Sequence, residues 1–161
     1  MFKDVCTMNE AFGNFPDDPK KPNWERLGNQ CKNILDEYKE LFDDGIEPQN
    51  MTEFRDAICD ILVFTLGAAH MAGMDVERDM RTVFDSNMSK FCRDQDEVDL
   101  TVKKYVDLGL EVLVEGEFPR KRVKSAKQQY DNTEGRCPKL YQANKMLKSV
   151  TFKEPVFAPY D

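Results

Sequence analysis

Thr52–Gly73 reads TEFRDAICDILVFTLGAAHMAG, the most apolar run of the chain, yet it carries Glu53, Asp56 and Asp60. Those acids sit at i, i+3 and i+7, so on a helix they form one acidic stripe beside the apolar face. The preceding segment repeats the device: Glu37, Glu40 and Asp44, beginning within Asp36-Glu37-Tyr38-Lys39-Glu40, have the same spacing. Two successive helices with carboxylates beside their core faces point to a shared divalent-cation site. Asp60 is the sharpest residue, standing between Cys59 and Ile61-Leu62-Val63-Phe64. Full solvation is hard to keep there, and a buried charge needs a partner.

Like charges one helical turn apart cost a few tenths of a kcal/mol each, and more where water screens them less. Such a stripe persists if it faces solvent, if Lys39 and Arg55 answer it, or if a cation sits in it. Carboxylate oxygens are hard ligands that suit Mg²⁺ or Mn²⁺. Glu53 has a competing explanation, because Asn50 and Glu53 have capping-box spacing for the helix that follows.

The whole chain sets the bounds. Its 161 residues, 40% hydrophobic and 33% charged, predict one soluble globular domain over 1–161 rather than a disordered chain. A net charge of −7 argues against a general nucleic-acid-coating role. The charge is unevenly spread, with nine basic residues from Arg120 to Lys148 against Asp131 and Glu134. Five cysteines at wide spacing and one histidine, His70, form no zinc motif and no disulfide framework, so reduced thiols in the cytoplasm are expected. The N-terminus lacks the apolar core of a signal peptide. Ala57–Ala72 is short for a membrane span and holds Asp60 and His70, so it reads as a buried helix, with His70 a packing residue and no membrane partner.

Apolar periodicity places a short amphipathic piece at Val5–Phe12, a proline-rich loop through Pro22, and long helices over 23–42 and 53–71. Gly45 is the expected C-cap glycine of the first. Asp75 caps a third helix that runs into Asp85–Lys90, and a fourth covers 97–108, closed by Gly109. Beyond it, Leu110–Val114, Arg122–Lys127 and Lys145–Phe152 read as short strands between glycine and proline punctuation. The expected architecture is mainly α: a four-helix body over 1–109 with a small, basic, β-rich appendage over 110–161.

At these residues the sequence resembles the all-α nucleoside triphosphate pyrophosphohydrolases of the MazG-like superfamily. Its mark is EExxE on one helix and ExxD on the next. DEYKE, Asp36–Glu40, matches the first with Asp in the opening place, and the two glutamates that carry metal fall on Glu37 and Glu40. Matching the apolar run puts the family aspartate on Asp60 and leaves Ala57 where its glutamate partner stands; matching letters alone gives Glu53-Phe54-Arg55-Asp56. The stretch EFRDAICDILVFTLGAAHMAGMD is most similar to the phage-type branch, in which Asp56 and Asp60 can face one cavity. MNEAFGNFPDDP, SNMSK (Ser86–Lys90) and MLKSVTFKEP (Met146–Pro155) extend the resemblance over most of 8–155, with 120–145 the least matched.

The resemblance implies a four-helix MazG-like bundle that cleaves a (d)NTP to the monophosphate and pyrophosphate, for nucleotide-pool control or house-cleaning. It implies Mg²⁺, with Mn²⁺ as the alternative, on Glu37, Glu40, Asp56 and Asp60, and Glu53 in reserve. Asp56 or Glu37 would accept the proton of the attacking water, and Asn87, Lys90 and Lys148 would meet the substrate. It further implies a homodimer or homotetramer in the cytoplasm, the host's if a phage encodes the chain. The rival expectation is a non-enzymatic helical module that binds nucleotide or protein, favoured by the missing glutamate at Ala57. Nucleic-acid binding through Arg120–Lys148 is a third reading and is not expected.

Overall fold

The first long helix starts where Asn23, in extended backbone, accepts the amide hydrogen of Arg26 with its side chain, so a free donor of the first turn is satisfied. In the computed structural model, which describes residues 1–160, five helices precede four short strands: α1 (Phe2–Ala11), α2 (Trp24–Glu40), α3 (Met51–Met71), α4 (Val76–Met88) and α5 (Gln95–Asp107), then β1 (Val112–Glu115), β2 (Arg122–Ser125), β3 (Gln129–Tyr130) and β4 (Leu140–Tyr141). The protein is thus mainly helical with a few short C-terminal strands. No single described helix is long and apolar enough to cross a membrane. The chain divides into two compact units: Met1–Asp79 with the segment that begins at Ala158, and Met80–Phe157. The division falls inside α4, and Gly109 lies within the second unit.

In the first unit α2 and α3 make the most extensive pairing of elements in the chain, and α1 packs on α3. Leu27, Leu41, Ala57 and Met71 are buried there. Asn50 caps α3 as its spacing predicts, accepting the amides of Thr52 and Glu53 at 3.1 and 3.4 Å. Gly45 is not the left-handed cap expected of it. α2 passes instead into a π-helical turn, Leu41–Ile46, in which a Cβ on Gly45 would lie 2.9 Å from the Phe54 Cα. Glycine is needed there for close approach to α3.

The proline-rich loop is anchored by Asp17. Its amide donates to the Met71 carbonyl at 2.9 Å, and its carboxylate takes the Asn23 amide and the Arg26 guanidinium, both at 2.8 Å. The loop therefore closes over the end of α3, where Gly73 has a φ of 67°. α4 starts at Asp75, which accepts the amide of Arg78. The Tyr160 hydroxyl donates to the buried Asp79 carboxylate at 2.7 Å and accepts the Asp75 amide at 3.3 Å.

The second unit holds the most continuous core. Cys92, Val98, Tyr105, Leu110, Val123, Tyr141 and Leu147 form one buried cluster. β1 and β2 form an antiparallel hairpin, Val112 opposite Ser125 and Glu115 opposite Arg122, with Glu115 salt-bridged to Arg122 and Lys124. β3 and β4 form a second antiparallel pair.

The strand expected at Lys145–Phe152 does not form. Met146 makes one isolated bridge to Lys124, and the rest is held by side chains. The Ser149 hydroxyl donates to the Ser89 carbonyl at 2.8 Å, the Val150 amide to the Thr101 hydroxyl at 3.1 Å, and the Lys153 amide to the Ser89 hydroxyl at 2.9 Å. The segment thus meets the backbone of β2 only around Met146, and beyond it the contacts run through serine and threonine hydroxyls rather than through a ladder.

α5 is fixed at its start by a reciprocal cap. Asp94 accepts the Glu97 amide at 2.9 Å, and the buried Glu97 carboxylate accepts the Arg93 amide at 2.9 Å and pairs with the Arg93 guanidinium. The Arg93 hydrogen bond holds the Glu97 carboxyl below its ordinary value of 4.5 against the cost of burial. Glu97→Gln is accordingly expected to cost about 1–2 kcal/mol, or roughly 3–6 °C in Tm. A depressed carboxyl contributes its stability above the unfolded pKa and loses it as pH falls through the folded one. The gap between native and variant protein should therefore be full above about pH 4.5 and close in more acid solution, as followed by thermal melts across pH.

Candidate functional site

Of the first expected stripe, Glu37 and Glu40 lie in the last turn of α2 while Asp44 falls beyond it in the π-helical turn; Glu53, Asp56 and Asp60 lie along the first half of α3. Because α2 and α3 pack along one another, the two stripes come within electrostatic range. Partial burial raises the Glu37 carboxyl above its ordinary value, and Glu40, Asp60, Asp56 and Asp36 raise it further, in that order. Four of the five metal candidates thus share one field. Glu53 is not in it: this residue is exposed in the first turn of α3, where Asn50 receives its amide.

Glu37 and Asp60 are half-buried, while Glu40 and Asp56 are exposed. None of the four makes an ion pair among the described residues, because Lys39 turns to Asp36 at 3.3 Å instead. Cys59 and Asp56 line an open depression of about 420 Å³ with Glu53 and Arg55. No three His, Cys, Asp or Glu side chains among the described residues are drawn up closely enough to enclose an ion. The fit to a hard divalent cation is one of donor type and charge: all oxygens, negative, and lacking a counter-charge.

The unanswered charge has a cost that can be measured without any cation. An acid whose folded pKa is raised loses stability as pH climbs from the unfolded value through the raised one. In metal-free protein at neutral pH, Glu37→Gln is expected to gain about 0.5 kcal/mol, or about 1–2 °C in Tm. The gain should vanish below about pH 4.5. A lower Tm for this variant throughout would show that Glu37 has a stabilising partner.

In the second unit, the segments SNMSK and MLKSVTF, some 60 residues apart, are joined through Ser89 and Ser149. The Ser86 hydroxyl adds a bond to the Lys153 carbonyl at 2.9 Å. Asn87, in the last turn of α4, is exposed and accepts a hydrogen bond from the Lys90 ammonium at 2.6 Å. Lys90 and Lys148 line the same pocket, so two of the three substrate candidates come together there, and Asn87 reaches them through Lys90.

Tyr105, Lys139, Tyr141, Lys145, Met146 and Leu147 complete that pocket, and none of them was a named substrate candidate. The cluster of basic residues from Arg120 to Lys148 was the only signal for them. His70 is buried at the end of α3; its Nε2 lies 3.8 Å from the Glu10 carboxylate and has no hydrogen-bond partner among the described residues. Compared with known proteins, the chain matches no family model, no curated protein and no solved structure.

Proposed function

We propose that the protein is a Mg²⁺-dependent nucleoside triphosphate pyrophosphohydrolase with a MazG-like helical centre. It would convert a (d)NTP to the (d)NMP and pyrophosphate in the cytoplasm. The observation that carries the reading is the set of Glu37, Glu40, Asp56 and Asp60, four carboxylates in one field with no ion pair among the described residues. Such a charge cluster is costly unless something answers it. Mn²⁺ is the alternative cation, and Glu53 is the reserve ligand.

A divalent cation bound there would neutralise phosphate charge and lower the pKa of a water. Glu40 and Asp60 would supply carboxylate oxygens for it. Glu37 already holds its proton more tightly than an ordinary glutamate, which suits a residue that accepts a proton from water. Asp56, on the adjoining turn of α3, is the other candidate for that role. Lys90 and Lys148 would meet phosphate oxygens as point charges, with Asn87 orienting Lys90 through its 2.6 Å bond.

Association into a homodimer or homotetramer is part of the proposal. Trp24 and Leu35 are 76% and 61% exposed in the single chain, and Tyr38 and Met51 are exposed with them. Large apolar groups so placed on α2 and α3 favour a covering partner. A panel of the eight common nucleotides with Mg²⁺ and Mn²⁺ tests the reading, with pyrophosphate rather than orthophosphate as the expected product. Absence of turnover across the panel would sink it. Ala57, where the family has a glutamate, favours a second reading, a binding module without hydrolysis. Calorimetric binding of nucleotide or protein without turnover would favour that one.

A further inference from the structure

The second unit contains a small pocket whose walls are unusual in charge. Lys90, Lys139, Lys145 and Lys148 line it, with the buried rings of Tyr105 and Tyr141 behind them. The rings meet edge to face at 6.2 Å, and the Tyr105 hydroxyl donates to the Lys148 carbonyl at 3.1 Å. Of the four ammonium groups, only Lys148 has an ionic partner among the described residues, the exposed Glu154. Lys139 lies over the Tyr141 ring at 5.3 Å. The nearby carboxylate of Asp131 is taken by Arg136 and the Lys139 amide.

The positive field is felt beyond the pocket itself. The neighbouring Lys104, 5.0 Å from the Tyr105 ring centre, has its pKa lowered, first by partial desolvation and then by Lys148 and Lys139. Size narrows the ligand. The pocket holds about 160 Å³, enough for about five waters at ~30 Å³ each. It falls below the ~300–1,000 Å³ of pockets for drug-sized molecules. That volume suits one tetrahedral oxyanion better than a whole nucleoside.

We propose that this pocket is a metal-independent binding site for a phosphate group, carried either by free inorganic polyphosphate or by a nucleotide's triphosphate tail. Lys139 and Lys145, which come from the part of the chain least like the family, complete it. Only the nucleotide source rests on the hydrolase reading; the pocket's charge and size stand apart from the acidic stripes.

The test uses full-length, metal-free protein in EDTA. Calorimetry with tripolyphosphate should give saturable binding that weakens with salt, while a nucleoside alone should give none. Lys139→Gln with Lys145→Gln should weaken tripolyphosphate by about tenfold or more. Lys103→Gln should leave it unchanged, because Lys103 is paired with Asp107 at 2.7 Å outside the pocket. In the native protein the Tyr105 and Tyr141 ring resonances should shift on titration, a readout that needs no variant.

No saturable binding, undiminished binding in the double variant, or unmoved tyrosine rings would each overturn the proposal. A nucleoside triphosphate that binds more tightly than tripolyphosphate assigns the pocket to a nucleotide tail, and one that binds less tightly assigns it to free polyphosphate. Glu40→Gln, on the first unit, should leave this binding intact. If no nucleotide is hydrolysed yet tripolyphosphate binds, the hydrolase reading falls and the pocket stands.

Discussion

Under the proposed hydrolase reading, Glu40→Gln and Asp60→Asn are each expected to lower Mg²⁺-dependent pyrophosphate release by about a thousandfold. Each replaces a charged oxygen donor with a neutral amide of nearly the same shape, so packing is kept while the affinity of the centre for a cation falls. Metal centres of this kind supply several kcal/mol of transition-state stabilisation, and ~1.4 kcal/mol is a factor of ten in rate. Steady-state assays at saturating Mg²⁺, with melting temperature as the folding control, make the measurement. Full activity in both variants, with normal stability, would mean that the cation sits elsewhere. Excess Mn²⁺ should recover part of the loss in Asp60→Asn if binding is what fails.

The largest stability effect is expected at Gly73→Ala. A Cβ at this position would lie 2.4 Å from the Asp17 carbonyl oxygen, and the backbone holds a φ of 67°. The left-handed conformation costs an L-residue about 1–2 kcal/mol, and overpacking adds about 1–3. A loss of roughly 3 kcal/mol lowers Tm by about 6–12 °C in a chain of this size. Gly28→Ala is the matched control, because Gly28 is helical, exposed and has no atom within 4 Å of the added methyl. That change should stabilise by about 0.5–1 kcal/mol. Similar melting shifts in the two variants would contradict the clasp between Asp17 and the end of α3.

The helices were legible because their signals are local. Asn23, Asn50 and Asp75 announce starts by residue type, and their side chains accept the amides that such caps accept. Apolar spacing then fixed lengths to within a few residues. The C-terminal region was harder for a physical reason. KMLKSVTF has the composition of a strand, but Ser89 and Thr101, distant in sequence, take its hydrogen bonds. β3 and β4 are two residues each, too short for any period to register. The π turn at Leu41–Ile46 carries no sequence mark of its own beyond Gly45.

The two candidate sites differ in the same way. The acidic one was readable because each half repeats along a single helix, and only its closure depends on α2 meeting α3. Asp60 is half-buried rather than exposed, as its apolar flanks require. The lysine pocket takes α5, β4 and three loops to assemble, so Tyr105 and Lys145 have no spacing that relates them. Tertiary packing alone makes them neighbours.

Tyr160 has a consequence for how mutations in this gene express themselves. Its hydroxyl serves Asp79 and Asp75 in the first unit, although the whole second unit is translated between them and Tyr160. A lesion that removes Tyr160 would therefore injure the unit translated earlier. Its symptom would be a loosened start of α4, with Asp79 buried and short of a donor, while the core around Leu147 melts as before. In this chain, position along the message is a poor guide to which half a lesion harms.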